Sequence, residues 1–412
     1  MSEDKTAYRA LLQEFGGSAM RLYRETGILL PIAGGAGPGP TGYNETADVL
    51  TRTVDGVPLG DLYNEIIDTL GLINAQRSPL IERLTFPVTE PYEQIMPISE
   101  HDFEEADEYG QPVGIRLGIP WNMGFDLRYY DLATRFTFRF LGRARANHIR
   151  ALNSTAIEAD RRLVATKILT QLFTVTNRTS TLEDTGTPVT VYPLYNGSTT
   201  TLPAVPPAWK SFSHANTHEH HLASGAATID PGDVDAMWDH IYHHGLTQGA
   251  DIFLLVNKAE ATLIRQFRVG TASAQYDFIP AAGSADAVFR GFLTGSLPGS
   301  PSGGLSTFPG FIGTYGPVNV IQEDYIPAGW VVMFASGGKY GLGNVVGLRE
   351  HENEELRGLK LIPQFERYPL RESFYHHALG AGIRQPGGAV VMKITAGAYT
   401  EPTLSISGPG GR

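Results

Sequence analysis

Apolar positions along the chain change period several times, and each change marks an element. Over residues 6–26, Ala7, Leu11, Phe15, Leu22 and Tyr23 recur at helical spacing, with Thr6 placed to cap the helix. Gly16 and Gly17 weaken its middle. Residues 59–73 repeat the pattern with Leu62, Ile66, Ile67 and Leu70 on one face. Between the two helices, residues 34–42 are a glycine- and proline-rich linker. The first 80 residues therefore predict an arm with two helical segments and no core of its own.

The period then shortens. Ile81 to Ile98 reads as extended, interrupted by Pro87, Pro91 and Pro97. An acidic stretch follows, with Glu100, Asp102, Glu104, Glu105, Asp107 and Glu108, and Ile115 to Leu127 is extended again. Strand, charged tip, strand predicts a long hairpin poor in core residues that projects from the body. Residues 129–150 are rich in aromatics and arginines, and their periodicity fits strand and helix equally.

Residues 154–174 predict the longest helix. Thr155 and Glu158 fit a capping box, and Ile157, Val164, Ile168 and Leu172 form one stripe. Asp230-Pro231 opens a helix over 231–245, and Ala259–Phe267 is another. Ile252–Val256, Val318–Gln322, Trp330–Phe334, Leu379–Arg384 and Ala389–Ile394 are strand-length apolar runs. Residues 270–315 form a long Gly/Ser/Ala/Pro stretch, of a length that compact domains tolerate chiefly for function. The fold class is α+β.

Composition narrows the function. The 412 residues include 47 glycines and 27 prolines, about 18% of the chain against the usual 12% or so. Charged residues are 18%, too few for a coiled coil. Cysteine is absent, which excludes disulfides, Cys-ligated zinc and Cys nucleophiles. The net charge of −11 argues against sequence-specific nucleic-acid binding. The first residues lack the basic and apolar regions of a signal peptide, and no apolar run reaches membrane-spanning length, so a soluble chain that starts out in a cytoplasm is expected.

Three constellations invite chemistry. Seven of the 12 histidines fall at His214, His218, His220, His221, His240, His243 and His244. His218-Glu219-His220 is the H-x-H pattern by which a strand end offers two imidazoles to one metal. A hydrolase would add His243 and the base Asp251. The simpler reading is that these side chains hydrogen-bond loops and pack at an interface, and no metal site is assigned. Gly341 to Gly347 lacks the spacing and the following helix of a dinucleotide loop, and reads as a turn between antiparallel strands. The acidic tip lacks Ca²⁺-loop spacing and reads either as a solvated loop or as a partner for basic residues on a second copy, with Arg135, Arg139, Arg143, Arg145 and Arg150 as the candidates. No catalytic residue and no cofactor are expected.

Taken in order, the segments Ser154–Phe173, Val191–Gly197, Phe212–Gly225, Asp233–Gly245, Asp251–Phe267, Tyr325–Phe334 and His376–Ile394 resemble the HK97-type major capsid proteins of tailed bacteriophages, those of actinobacterial phages in particular. The resemblance covers nearly all of the chain after residue 80. It implies an HK97-like fold with an N-terminal arm (1–83), an E-loop hairpin (84–127), a peripheral domain (128–228 and 350–396, spine helix 154–174), an axial domain (229–349) and a tail (397–412). It also implies self-assembly through hexamers and pentamers into an icosahedral head around double-stranded DNA, held non-specifically. Expected partners are a portal, a separate scaffolding protein and a decoration protein, with assembly in a bacterial cytoplasm and no membrane. Some members join an E-loop lysine to a neighbour's asparagine. Here all seven lysines (Lys5, Lys167, Lys210, Lys258, Lys339, Lys360 and Lys393) lie outside 84–127, so no such crosslink is expected. The alternatives are an encapsulin-type compartment and a metal-dependent hydrolase built on His218 and His220.

Overall fold

The structure, a computed structural model, describes residues 50–75, 77–95, 121–182, 186–198, 206–215, 217–271, 273–281, 310–363 and 370–404, together with 103, 105, 110 and 114. The expected helix at 6–26, the linker at 34–42, most of the acidic tip and much of 270–315 lie outside these residues.

The described helices are α1 (Leu59–Ala75), α2 (Pro79–Leu84), α3 (Phe138–Leu141), α4 (Ala146–Phe173), α5 (Pro231–Tyr242) and α6 (Lys258–Ile264). The first eight strands are β1 (Thr85–Val88), β2 (Tyr92–Ile95), β3 (Trp121–Gly124), β4 (Arg128–Thr137), β5 (Arg178–Thr181), β6 (Pro188–Val191), β7 (His221–Ala223) and β8 (Asp251–Val256). The rest are β9 (Phe278–Pro280), β10 (Phe311–Tyr315), β11 (Val318–Gln322), β12 (Trp330–Ser336), β13 (Val346–Glu350), β14 (Lys360–Pro363), β15 (Leu370–Ile383) and β16 (Ala389–Lys393). The chain divides into a smaller unit (1–68, 133–153, 362–374) and a larger one (69–132, 154–361, 375–412).

The larger unit is built on a seven-stranded mixed sheet of order β7-β16-β12-β8-β11-β10-β9. The interiors of its middle strands β8 and β12, Ile252–Val256 and Val331–Ala335, are apolar at every position because both faces are covered. Phe253 and Leu255 point to one side with Val332, Phe334, Val391 and Ile321. Ile252, Leu254 and Val256 point to the other with Val331, Met333, Val390, Val318 and Val320. This period-two split is what a pleated strand imposes. The first side packs against Val164, Ile168, Leu172 and Phe173 of α4 and against Leu348, Leu379, Ala381 and Ile383 of a second sheet. The other side is covered by Val234, Met237 and Ile241 of α5 and Ala261 and Ile264 of α6. The second sheet runs β1-β13-β15-β14, with β4 also paired to β15. The seven-stranded sheet takes five strands from residues 229–349 and two, β7 and β16, from outside that range.

In the smaller unit Leu62, Leu141, Ala146 and Ile149 form a compact core with Leu50, Leu59 and Ile66 against it. Arg150 clasps Glu65 at 2.8–3.1 Å, and Arg135 pairs with Glu372 at 2.9 Å. Two of the five arginines proposed for the acidic tip thus have partners within this chain.

Several expectations need correction. The long helix begins at Ala146, not near Thr155. Asp55 accepts the Ala146 N–H at 3.1 Å and so caps the start from 91 positions upstream. Thr155 lies inside the helix, and Glu158 accepts the Tyr325 hydroxyl instead. Residues 81–84 end helix α2, which carries a proline in its first turn, and are not extended. The glycine loop 341–347 joins β12 to β13, which belong to different sheets rather than to one antiparallel pair. Asn344 fills it, donating to the carbonyls of Thr85 (2.7 Å) and Gly338 (3.0 Å) and accepting from Gly337 N (2.9 Å).

Candidate functional site

Two places concentrate specific geometry. The first is the base of the hairpin. Its legs β2 and β3 pair antiparallel from Tyr92↔Gly124 to Ile95↔Trp121. The sequence reads this region as poor in core residues, yet its base is deeply buried: Phe86, Met123 and Phe125 are all within the core. Proline-broken β1 pairs in parallel with β13, Thr85 facing Val346.

Three glycines make room for the returning leg. Gly347 and Gly382 face each other across β13 and β15. A Cβ on Gly347 would lie 2.3 Å from the Phe125 ring, and one on Gly382 would lie 2.4 Å from the Gly124 carbonyl oxygen. At Gly380 the obstacle is the Asp126 carbonyl oxygen, only 1.5 Å away. Residues 380 and 382 point to the same face, so together they form a trough in which Gly124–Asp126 lies. Arg349, buried, then bolts both legs: it donates from Nη1 to Phe125 O (3.1 Å) and from Nε to Thr89 O (3.2 Å). Arg384 adds a bidentate pair with Glu93 at 2.8 Å.

The second place is the histidine cluster. Residues 218–220 are extended because the segment 195–197 pairs with them: His220 N donates to Tyr195 O (2.7 Å) and Gly197 N to His218 O (3.0 Å). Side chains 218 and 220 therefore share a face, while Glu219 points away. Helix α5 delivers the others. Its start is fixed by a reciprocal Asp230–Asp233 capping box. Its last turn carries His240, His243 caps the end, and Gly245 follows at φ +73°. Gly245 also has no room for a side chain, since a Cβ would lie 2.3 Å from the Trp209 ring.

The Nε2 atoms of His218, His220 and His244 lie 3.1, 3.0 and 2.9 Å apart. His243 Nε2 is 3.3 Å from His218 Nε2. His214 stacks on His244 with ring centroids 4.5 Å apart. His220 is completely buried, with its Nδ1 2.6 Å from the Ala389 carbonyl oxygen. Burial, then the neighbouring imidazoles, hold these rings proton-poor: His218 falls to about 3, His243 to about 4, and His220 well below the usual histidine range. They are neutral at pH 7, with lone pairs available. His214, His218, His243 and His244 bring their ligand atoms within 4.8 Å of one another, with no carboxylate in the group. Asp251, the candidate base, instead pairs with Arg83 at 3.0 Å. His240 bonds its own helix at Ala236 O, 2.8 Å away.

The chain aligns with a solved structure from Mycobacterium phage Patience at 36% identity and a TM-score of 0.63, over 89% of this chain and 97% of that one. The chain belongs to the HK97-type major capsid protein family. The capsid of an empty GTA particle (12% identity, TM-score 0.44, 77% of this chain and 90% of that one) also aligns. So does the holo-SrpI encapsulin complex from Synechococcus elongatus PCC 7942 (12%, 0.43, 82% and 98%). No family model matches the sequence, and no curated protein does. As a capsid protein the chain has a structural role in the virion. The H-x-H pair was legible in the sequence. His243, named there as a further ligand, does lie beside His218; the joining of His244 was not legible, because it depends on sheet pairing and on where α5 ends. The glycine trough and Arg349 gave no signal either, since their partners lie more than 200 positions away.

Proposed function

We propose that this capsid protein closes an icosahedral head by quasi-equivalent contacts, with residues 84–127 acting as an E-loop laid on a neighbouring subunit. The anchored hairpin base carries the reading. A loop that transmits force between subunits needs a rigid root, and Arg349, the glycine trough and Phe125 supply one. An extended loop leaving such a root can gain strand partners from another copy. Residues 1–83 then serve as the arm, 128–228 and 350–396 as the peripheral domain with its spine helix, 229–349 as the axial domain and 397–412 as the tail. The seven-stranded sheet draws five of its strands from 229–349 and two, β7 and β16, from the peripheral segments. Heterologous contacts that complete five- and six-membered rings close the shell. Its partners are a portal, a separate scaffolding protein, a decoration protein and non-specifically held DNA, with assembly in the host cytoplasm and no catalytic step. Replacing residues 96–120 by a tight turn tests this. Folded subunits that no longer close into particles are expected, and normal shells from the shortened chain would overturn it.

A further inference from the structure

The proposed shell role invokes the hairpin root and not the histidine cluster. We propose that His218, His220, His243 and His244 hold one divalent transition-metal ion of the zinc class through their Nε2 atoms, as a structural staple.

Hydrogen-bond counting carries the argument. The Ala389 carbonyl only accepts, so the Nδ1 that lies 2.6 Å from it must carry the His220 proton. His220 Nε2 is then a bare lone pair facing Nε2 of both His218 and His244. A neutral imidazole has one N–H, directed at one acceptor. If His218 and His244 both donate to His220, two N–H groups oppose each other across their own 3.0 Å contact. In any other arrangement two lone pairs meet. No tautomer assignment satisfies all three contacts, but one cation at their centre does.

The dimensions agree. Zn–N bonds of about 2.0–2.1 Å in a tetrahedron set N···N edges of about 3.3 Å. The three edges among His218, His220 and His244 are 2.9–3.1 Å, and the His218–His243 edge is 3.3 Å. The His220–carbonyl bond is the outer contact that fixes tautomer and ring orientation in metal-bound histidines. An all-imidazole set selects Zn²⁺, Ni²⁺ or Cu²⁺ over Mg²⁺ and Ca²⁺. The cluster is partly buried: the Tyr195 ring lies 5.5 and 5.6 Å from His244 and His220, and His214 Nε2 is buried with no partner. Four protein ligands leave no open position for substrate, so the ion braces rather than catalyses. It ties the segment entering edge strand β7 to the end of α5, in a chain that has no cysteine for a disulfide.

The test uses the full chain without a polyhistidine tag, stripped with EDTA and dialysed. Titration with Zn²⁺ is followed by calorimetry and titration with Co²⁺ by visible absorption. One Zn²⁺ per chain, the intense bands of tetrahedral Co²⁺ and a higher melting temperature with Zn²⁺ are expected. His244→Ala should weaken Zn²⁺ binding about 100-fold or more, a loss at least as large as outer-shell changes cause. His243→Ala, at a helix end, keeps the fold by circular dichroism and must also lose affinity. No Zn²⁺ uptake at micromolar concentration, a pale octahedral Co²⁺ spectrum, or wild-type affinity in folded His243→Ala would each overturn the site.

Discussion

The glycine trough makes a prediction that separates side-chain from backbone packing. Phe125 is fully buried, and truncation to alanine should cost about 3–5 kcal/mol. Gly347→Ala places a methyl 2.3 Å from Phe125 Cε1 and 3.0 Å from Val88 Cγ2, both side-chain atoms. To restore ordinary contact the ring must retreat by more than 1 Å in a packed core, at about 1–3 kcal/mol. In the Phe125→Ala background that obstacle is gone and the methyl fills part of the cavity. Gly347→Ala should then be neutral or stabilising, a coupling of about 1–3 kcal/mol. Gly380→Ala behaves differently. Its obstacle is the Asp126 backbone oxygen, which the ring deletion does not move. Its cost should be large and equal in both backgrounds. Urea unfolding of unassembled subunits, followed by tryptophan fluorescence, gives all the terms. A Gly347→Ala cost that is the same with and without the ring, or a Gly380→Ala cost that Phe125→Ala relieves, would refute this packing.

Three further outcomes follow from other contacts. Arg349→Leu strands the carbonyls of Thr89 and Phe125 and should cost about 2–4 kcal/mol in the same assay, with faster proteolysis within 96–120; unchanged protease resistance would show that the hairpin root is held otherwise. Burial lifts Asp233 to about 6, outweighing the Asp230 N–H that favours its charge. The folded state therefore binds the extra proton, and stability should fall as pH rises from about 4 to 6. Asp233→Asn keeps an acceptor for the cap, so it should gain stability at pH 7 and not below pH 4; a gain independent of pH would be inconsistent with the lifted carboxyl. With no lysine in 84–127, boiled mature particles should run as intact monomer on a denaturing gel, and a ladder of multimers would contradict that.

Local rules explain which elements the sequence disclosed. The core strands β8 and β12 were legible because a sheet covered on both faces needs apolar residues at every position. The start of α5 was legible because Asp230, Pro231 and Asp233 are a cap written within four residues. The start of α4 was not, because its cap is Asp55, and Thr155 offered a plausible cap inside the true helix. Gly347 reads as a turn glycine in sequence, and Gly380 and Gly382 fall within an expected strand with no sign of what their smallness serves. They sit in regular strands, and their smallness serves a segment that crosses from residues 124–126. The histidines showed their density in the sequence but not their convergence. That required His220 to be pinned by Ala389, a partner 169 positions away.

The central claim is that this chain is a shell-forming subunit. Sedimentation velocity of the purified full-length protein, with electron microscopy of the fastest fraction, tests it most directly. The account predicts large, hollow, closed particles of uniform diameter that display five- and six-fold clusters. A protein that remains a folded monomer under every assembly condition would contradict it.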